Sequence, residues 1–370
     1  MPNEKFPQKK SLHEKDGIAQ PNHVNQNSIK NIQNFRKKKI DVDVLIQRLI
    51  QGDIPSLSKA ITLIESTNIA HKEQANRIVQ ACLPYANNSV RIGITGVPGV
   101  GKSTFIEAFG TYLTSIGKKV AVLAVDPSSS ISKGSILGDK TRMEDLVKNK
   151  NAFIRPSASG ESLGGVSRKT RESIILCEAA GFDIILIETV GVGQSETAVH
   201  SMTDFFLLLN LAGAGDELQG IKRGIMEMAD AVIINKADGD NLKHAQNAKL
   251  DMNRALHLFP LKDSKWQPKV LLVSAFYNKG IEEVWQLLEA YFKLVKANNF
   301  FEENRNNQNA YWLKETINEQ LLSNFYQNTE INRYLKSAEH AVQNNEKSPF
   351  TAANELLALY KEHRTFNKND

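Results

Sequence analysis

The chain has 370 residues, of which 41% are hydrophobic and 24% are charged, as is usual for a soluble globular protein. Its net charge of +5 is uneven, because residues 1–40 hold nine Lys or Arg and only three Asp or Glu. The remaining residues are close to neutral, which argues against a nucleic-acid-binding body, and no apolar run approaches the roughly 18 residues of a membrane span. The two cysteines, Cys82 and Cys177, are far apart, which favours a reducing, cytoplasmic compartment over a disulfide framework.

The first two segments differ in composition. Residues 1–40 are rich in Lys, Asn and Gln and poor in apolar residues, so we expect a disordered basic leader. Residues 41–88 carry apolar residues at helical spacing in three successive segments, which predicts a small helical cap. Pro84 and the pair Asn87-Asn88 are predicted to end it.

Residues 89–298 alternate short apolar runs with helical segments. This alternation predicts an α/β domain with a mainly parallel sheet covered by helices. Strands are predicted at Val90–Thr95, Val120–Val125, Ala152–Arg155, Asp183–Glu188, Phe205–Leu211, Ala231–Asn235 and Val270–Ser274. Helices are predicted at 103–116, 140–149, 167–180, 219–228, 241–258 and 280–295.

Residues 299–370 are predicted to form a C-terminal helical extension. Within it, the polar stretch Asn304–Asn309 is predicted to be a linker. Apolar residues then recur at helical spacing, at Leu313, Ile317, Leu321 and Phe325. Ser348 and Pro349 are typical of an N-cap and a first-turn proline, so a last helix is predicted to begin there. The apolar faces of these helices either pack on the α/β domain or form a subunit interface.

A glycine-rich pattern, G-x-x-x-x-G-K-S, runs from Gly96 to Ser103 between a predicted strand and a predicted helix. The backbone N–H groups of such a loop point inward and bind phosphate, and the helix N-terminus favours the same anion. Lys102 is predicted to reach the β- and γ-phosphates, and Ser103 to offer its hydroxyl to Mg²⁺. The predicted phosphate-binding residues are Gly96, Val97, Pro98, Gly99, Val100, Gly101, Lys102, Ser103 and Thr104. A Rossmann turn is disfavoured because no G-x-G-x-x-G fits here.

A second pattern, N-K-x-D, begins at Asn235 directly after a predicted buried strand. The carboxylate of Asp238 can accept hydrogen bonds from both the ring N1–H and the exocyclic amine of guanine, which adenine does not offer in that arrangement. Lys236 is predicted to lie along the base, and Asn235 to tie this loop to the phosphate loop. Ser274 and Ala275 follow the next strand, where backbone N–H groups often meet the guanine carbonyl. The sequence therefore predicts that GTP and GDP bind in preference to ATP.

Three acidic residues are expected near the same edge of the sheet. Asp126 and Glu188 end predicted strands, and Asp139 lies in a following loop. Because ligands bind at the carboxyl ends of the strands in an open α/β sheet, these acids and Ser103 are predicted to hold Mg²⁺. Gly191 is predicted to offer a backbone N–H to the γ-phosphate.

The predicted catalytic residues are Lys102, Asp139 and Glu188. The residue that positions the attacking water is not identified, since Gln194 stands three places after Gly191 rather than next to it. Four arginines are candidates for an arginine finger, although each is more typical of a surface or helix end: Arg142, Arg168, Arg171 and Arg223. We therefore expect slow intrinsic hydrolysis that a partner accelerates.

Five segments in chain order carry a family resemblance: Gly96–Ser103, Val125–Ser129, Gly134–Met143, Glu188–Gln194 and Asn235–Asp238. Together they resemble the MeaB/ArgK family of P-loop GTPases, in the same broad group as the signal-recognition and nickel-insertion GTPases. The resemblance runs from about residue 45 to the C-terminus and is weakest in the last seventy residues.

The resemblance implies a GTPase chaperone for an adenosylcobalamin-dependent acyl-CoA mutase, typically methylmalonyl-CoA mutase. It also implies a homodimer built through the C-terminal helices. Metal and switch roles are implied for Asp126, Asp139 and Glu188, and the loop Ala212–Gly224 is similar to a further switch that faces the partner.

Two other functions remain open. A metal-insertion GTPase for a nickel enzyme usually needs a His-rich tract or paired Cys and His ligands, whereas the eight histidines here are scattered. A nucleotide-dependent scaffold would use GTP binding, rather than turnover, to set the affinity for its partner.

Overall fold

The computed structural model describes residues 41–125, 143–156, 163–189, 195–212 and 223–366. Seven strands lie in these ranges: β1 (Val90–Gly96), β2 (Val120–Val125), β3 (Ala152–Arg155), β4 (Ile184–Thr189), β5 (Phe205–Leu211), β6 (Ala231–Asn235) and β7 (Lys269–Leu272). They form one sheet in the order β3-β2-β4-β1-β5-β6-β7, and every neighbouring pair is parallel. The predicted α/β fold with a parallel sheet is confirmed.

Twelve α-helices lie in the described part of the chain. They are α1 (Val42–Ile50), α2 (Ile54–Glu65), α3 (Ile69–Cys82), α4 (Lys102–Ser115), α5 (Leu163–Ala179), α6 (Ser195–His200), α7 (Arg223–Met228), α8 (Leu242–Leu256), α9 (Ile281–Ala297), α10 (Phe300–Tyr326), α11 (Thr329–Gln343) and α12 (Pro349–Phe366). Short 3₁₀ turns occur at Leu83–Tyr85, Leu146–Lys148 and Gly239–Asn241. None of the described helices is long and apolar enough to cross a bilayer.

The sheet is buried on both faces, which explains why its strands read as continuous apolar runs. On one face, Ile94 of β1 and Leu186 of β4 pack with α4 and α9, where the rings of Phe105 and Phe109 stack at 5.5 Å between centroids. On the other face, Val232 of β6 packs with α8. Because all strands are parallel, their carboxyl ends meet at one edge of the sheet.

The structure overturns two predictions about helices. A helix was predicted at 140–149, but in the described part of that range only the 3₁₀ turn Leu146–Lys148 is present, and 140–142 lie outside the described residues. The stretch Asn304–Asn309, predicted to be a linker, lies inside the continuous helix α10. The helices α6 and α11 had no sequence prediction.

The supposed linker is helical because two of its polar residues, Arg305 and Gln308, are buried and paired. Arg305 donates to both carboxylate oxygens of Asp204, at 2.9 and 2.7 Å, and to the backbone oxygens of Asn87 and Ser89 at 2.8 and 2.6 Å. Gln308 donates to Thr203 O at 2.7 Å. These bonds fix the start of α10 on the amino-terminal side of the sheet.

Candidate functional site

The phosphate loop connects β1 to α4, as the motif predicts. Gly96 ends β1 with φ +153°, and a Cβ there would lie 2.5 Å from the carbonyl oxygen of Leu209 on β5. A Cβ on Gly101 would lie 2.7 Å from the side-chain nitrogen of Asn235. Glycine is therefore required at both positions by the approach of neighbouring backbone and base-loop atoms.

Lys102 is buried, and its ammonium group is folded back onto the loop. The Nζ atom donates to Gly96 O at 2.8 Å and to Val97 O at 3.4 Å. Burial lowers the pKa of Lys102, and the nearby carboxylates of Glu188 and Glu196 partly offset that shift. The hydrogen bonds of this buried cation thus go to two neutral carbonyls of the loop.

Ser103 and Glu188 come together from different elements. The Ser103 hydroxyl, in the first turn of α4, donates to Glu188 Oε1 at 3.4 Å, and Glu188 lies on β4 beside β1. A hydroxyl and a carboxylate are the hard oxygen donors that Mg²⁺ prefers, so these two residues fit that ion. Asp126, Asp139 and Gly191 lie outside the described residues.

Sequence reasoning missed Glu196, an acid close to the same lysine. It lies in the first turn of α6, is buried, and acts on the charge of Lys102. An acidic residue at the start of a helix that follows the Glu188 strand was the available signal. Its approach to Lys102 is a tertiary feature that spacing along the chain does not reveal.

The base loop is joined directly to the phosphate loop. Asn235 donates from Nδ2 to Val100 O at 2.9 Å, and Lys236 donates from Nζ to Gly99 O at 3.0 Å. The carboxylate of Asp238 accepts a hydrogen bond from the Ser274 hydroxyl. Asn235 and Lys236 are thus bonded to the phosphate loop, while Asp238 is bonded to Ser274.

The backbone N–H groups predicted for the guanine carbonyl are engaged in the structure. Ser274 N donates to Lys279 O at 3.0 Å, and Ala275 N donates to Asn235 Oδ1 at 3.3 Å. The longer bond of Ala275 is the weaker of the two by geometry. The N–H of Ala275 is therefore held less tightly than that of Ser274.

A pocket of about 320 Å³ lies between these loops. It is lined by Gly101, Thr104, Asn235, Lys236, Asp238, Ser274, Ala275, Phe276 and Tyr277. A larger pocket of about 860 Å³ has a lining that includes Asp204 and Asp230, the residues directly before β5 and β6. That pocket is at the opposite edge of the sheet and contains none of the predicted site residues.

Comparison with known proteins identifies the family to which the chain is related. The profile of the family described as methylmalonyl Co-A mutase-associated GTPase MeaB matches residues 57–330. The chain is 46% identical over 311 residues to GTPase ArgK of Escherichia coli (strain K12), covering 84% of this chain and 94% of that protein. It is 44% identical over 335 residues to the mitochondrial methylmalonic aciduria type A homolog of Mus musculus, covering 88% of this chain and 81% of that protein.

One solved structure extends the agreement to three dimensions. The crystal structure described as LAO/AO transport system kinase has a TM-score of 0.70 and 40% sequence identity, and the match covers 86% of this chain and 97% of that chain. The similarity therefore extends over almost the whole of that chain. Together with a family match over most of this chain, it establishes that the chain belongs to the MeaB family of methylmalonyl-CoA mutase-associated P-loop GTPases.

Proposed function

We propose that this GTPase hydrolyses Mg²⁺-bound GTP to GDP and phosphate as a chaperone of an adenosylcobalamin-dependent acyl-CoA mutase of the methylmalonyl-CoA mutase type. The observation that carries the nucleotide part is the direct bonding of the N-K-x-D loop to the phosphate loop, through Asn235 and Lys236. A single ligand with a purine at one end and phosphates at the other fits such a joined pair of loops.

Lys102 is proposed to bind the β- and γ-phosphates. To do so, its ammonium group leaves Gly96 O and Val97 O, and the charge-assisted bonds to phosphate replace bonds to neutral carbonyls. The backbone N–H groups of Gly96–Thr104 and of Gly191 are proposed to bind the remaining phosphate oxygens. Lys102 then stabilises the negative charge that develops as the terminal phosphate is transferred to water.

Ser103 and Glu188 are proposed to hold Mg²⁺, together with Asp126 and Asp139. When bound, the ion supplies positive charge to the β- and γ-phosphate oxygens. The hydrogen bond between Ser103 and Glu188 keeps these two donors within reach of one another in the free protein. Glu188 is also proposed to be catalytic with Lys102 and Asp139, because it lies at the carboxyl end of β4, the strand paired beside β1.

The mutase is proposed as the partner because the family is described by its association with that enzyme. A homodimer formed through the C-terminal helices is proposed from the apolar residues that these helices expose, and a reducing, cytoplasmic compartment from the buried free cysteines. The segment Ala212–Gly224, proposed as a switch that faces the partner, lies mostly outside the described residues.

Single-turnover hydrolysis of GTP, with and without the purified mutase, tests this proposal. We expect slow hydrolysis by the chain alone and at least about tenfold faster hydrolysis with the mutase, since partner groups accelerate related GTPases by larger factors than this. An unrelated protein at the same concentration is the control. A rate that the mutase leaves unchanged would contradict the chaperone role, and binding without turnover would favour the scaffold function.

A further inference from the structure

Two adjacent aromatic side chains line the pocket beside Asp238 and are exposed to solvent. Phe276 is 77% exposed and Tyr277 is 58% exposed. Neither residue belongs to the N-K-x-D pattern or to the phosphate loop. Single exposed apolar residues are common on protein surfaces, but an exposed aromatic pair in the wall of a pocket beside a carboxylate points to a ligand.

The turn that carries these rings is closed by backbone hydrogen bonds. Ser274 and Lys279 exchange two bonds, each of 3.0 Å, and Asn278 N donates to Ala275 O at 3.3 Å. Asn278 takes a left-handed conformation, with φ +55°, which asparagine tolerates better than most residues. Phe276 and Tyr277 therefore occupy the two central positions of a closed turn, and their direction is set by the backbone.

The two rings differ in the contacts that they make. Tyr277 packs edge to face with Phe276, at 5.0 Å between ring centroids and 89° between planes, and the ammonium of Lys279 lies 5.9 Å from the Tyr277 ring centroid. Tyr277 thus contacts both an aromatic ring and a cation. Phe276 contacts the ring of Tyr277 and is the more exposed of the two side chains.

Lys236 and Asp238 form two different parts of the pocket wall. The Lys236 side chain crosses from the base loop to Gly99 O, so its apolar stem forms one wall, while Asp238 lies at the edge that reads the ring N–H groups. We propose that Phe276 stacks on the face of guanine that Lys236 leaves open, with Tyr277 holding its ring in place. This inference rests on the proposed binding of guanine nucleotides.

The stacking predicts a defined pattern of affinities. Stacking of a base on an aromatic side chain is worth about 1–3 kcal/mol by alanine substitution, so Phe276→Ala should weaken GDP binding by between about 5-fold and about 150-fold. Inorganic tripolyphosphate occupies only the phosphate loop and should bind wild type and variant equally. Phe276→Tyr keeps the ring and should bind GDP like wild type.

Calorimetric titration of the full chain with GDP and with tripolyphosphate tests this pattern, with Tyr85→Ala as the control for loss of an exposed aromatic residue away from the pocket. A Phe276→Trp variant adds a spectroscopic readout, because its emission above the wild-type background should be quenched by GDP and not by tripolyphosphate. Equal GDP affinity of wild type and Phe276→Ala would overturn the inference, as would an equal loss for both ligands, which would indicate a collapsed loop.

Two further outcomes separate the inference from the function on which it rests. If wild type binds no guanine nucleotide, the proposed function fails before Phe276 is tested. If Phe276→Ala binds GDP like wild type but loses stimulation by the mutase, stacking is wrong and the ring belongs to the partner surface.

Discussion

Lys102 holds a buried ammonium group against two carbonyls of its own loop, Gly96 O at 2.8 Å and Val97 O at 3.4 Å. These neutral acceptors compensate poorly for the lost hydration of a cation, and burial accordingly lowers the pKa of this lysine. A phosphate oxygen is a stronger acceptor because its bond with the ammonium is charge-assisted. An anionic ligand can therefore replace the carbonyl oxygens that Lys102 contacts in the free loop.

Replacing Lys102 by alanine should abolish binding of the γ-phosphate. Truncating one side of a buried charged contact costs about 3 kcal/mol or more, so the affinity for a non-hydrolysable GTP analogue should fall by at least about 100-fold. Calorimetric titration measures the change, and Lys243→Ala, on the exposed side of α8, is the control. Unchanged affinity of Lys102→Ala for the analogue would refute the assignment.

Asp238→Asn should shift the preference from GTP towards XTP. Xanthine carries a carbonyl where guanine carries its amine, and the new amide can donate to that carbonyl while the carboxylate cannot. The ratio of the two affinities, measured by competition against a fluorescent nucleotide, gives the result. The hydrogen bond from Ser274 can still form with the Oδ1 of asparagine, so the loop keeps its support. A variant that still prefers GTP over XTP shows that Asp238 does not read the base.

At the scale of elements, β1 runs from the edge of the sheet where the strands begin to the edge where they end. Its carboxyl end becomes the phosphate loop at Gly96, while Arg91 near its amino end is buried and bonds with Glu178 of α5 at 2.8 Å. Burial alone raises the pKa of Glu178, but the charge and hydrogen bonds of Arg91 outweigh burial and leave that pKa below its ordinary value. Arg305 of α10 bonds with the Asp204 carboxylate, which also accepts a hydrogen bond from the backbone N–H of Arg91 at 2.8 Å.

Arg305→Ala should destabilise the fold strongly, because it leaves the buried carboxylate of Asp204 without its cation. Removing one member of a buried pair costs about 3–5 kcal/mol in the free energy of unfolding. The matched control is Arg254→Ala, since the Arg254–Asp251 pair is exposed and such pairs contribute at most about 1 kcal/mol. Urea unfolding followed by circular dichroism measures both.

A second variant tests the role of Arg305 even if Arg305→Ala does not fold. Arg305→Lys keeps the charge but loses the paired donors of the guanidinium, so it should give an intermediate loss. Similar losses for the Arg305 variants and Arg254→Ala would contradict the role given to this buried pair in anchoring α10.

The same elements show how far the sequence alone determines the structure. All seven strands were predicted because a parallel sheet buries both faces and its strands become continuous apolar runs. The helix through Asn304–Asn309 was missed because its buried face contains Arg305 and Gln308, whose partners lie 101 to 218 residues earlier in the chain. Tertiary pairing, which a local pattern does not display, overrides the polar character of that stretch.

In the candidate site, too, local motifs were predicted and residues that the fold brings into place were missed. The phosphate loop and N-K-x-D were predicted because glycines, a lysine and a carboxylate at fixed spacing have a local chemical meaning. Glu196 and Phe276 were missed because each acquires its place through the fold, Glu196 by approaching Lys102 and Phe276 by lining the pocket.

At the scale of the whole molecule, the C-terminal helices contact the α/β domain with only part of their apolar surface. The first turns of α10 are buried through Phe301 and Trp312. Further along the same helix, Leu313 is 64% exposed, Ile317 48% and Leu321 49%, at successive intervals of four residues. The first part of α10 therefore packs on the domain, and we propose that the exposed stripe further along forms the subunit interface.

Introducing charge into this exposed stripe should convert a dimer into a monomer. The variant Leu313→Glu/Leu321→Glu places two carboxylates where a second copy would bury leucine, and desolvating them is unfavourable. Light scattering coupled to gel filtration measures the mass, with Leu258→Glu as the control because Leu258 is also an exposed leucine but lies outside the C-terminal helices. A monomeric wild type, or a double variant that stays dimeric, would contradict an interface at this stripe.

The central claim is that the phosphate loop and the base loop bind one guanine nucleotide between them. Calorimetric titration of the chain with GTP and, in parallel, with ATP, both in the presence of Mg²⁺, tests it most directly. We predict saturable binding of one GTP per chain and no measurable heat from ATP at the same concentrations. Absence of binding to GTP, or equal affinity for the two nucleotides, would contradict the claim.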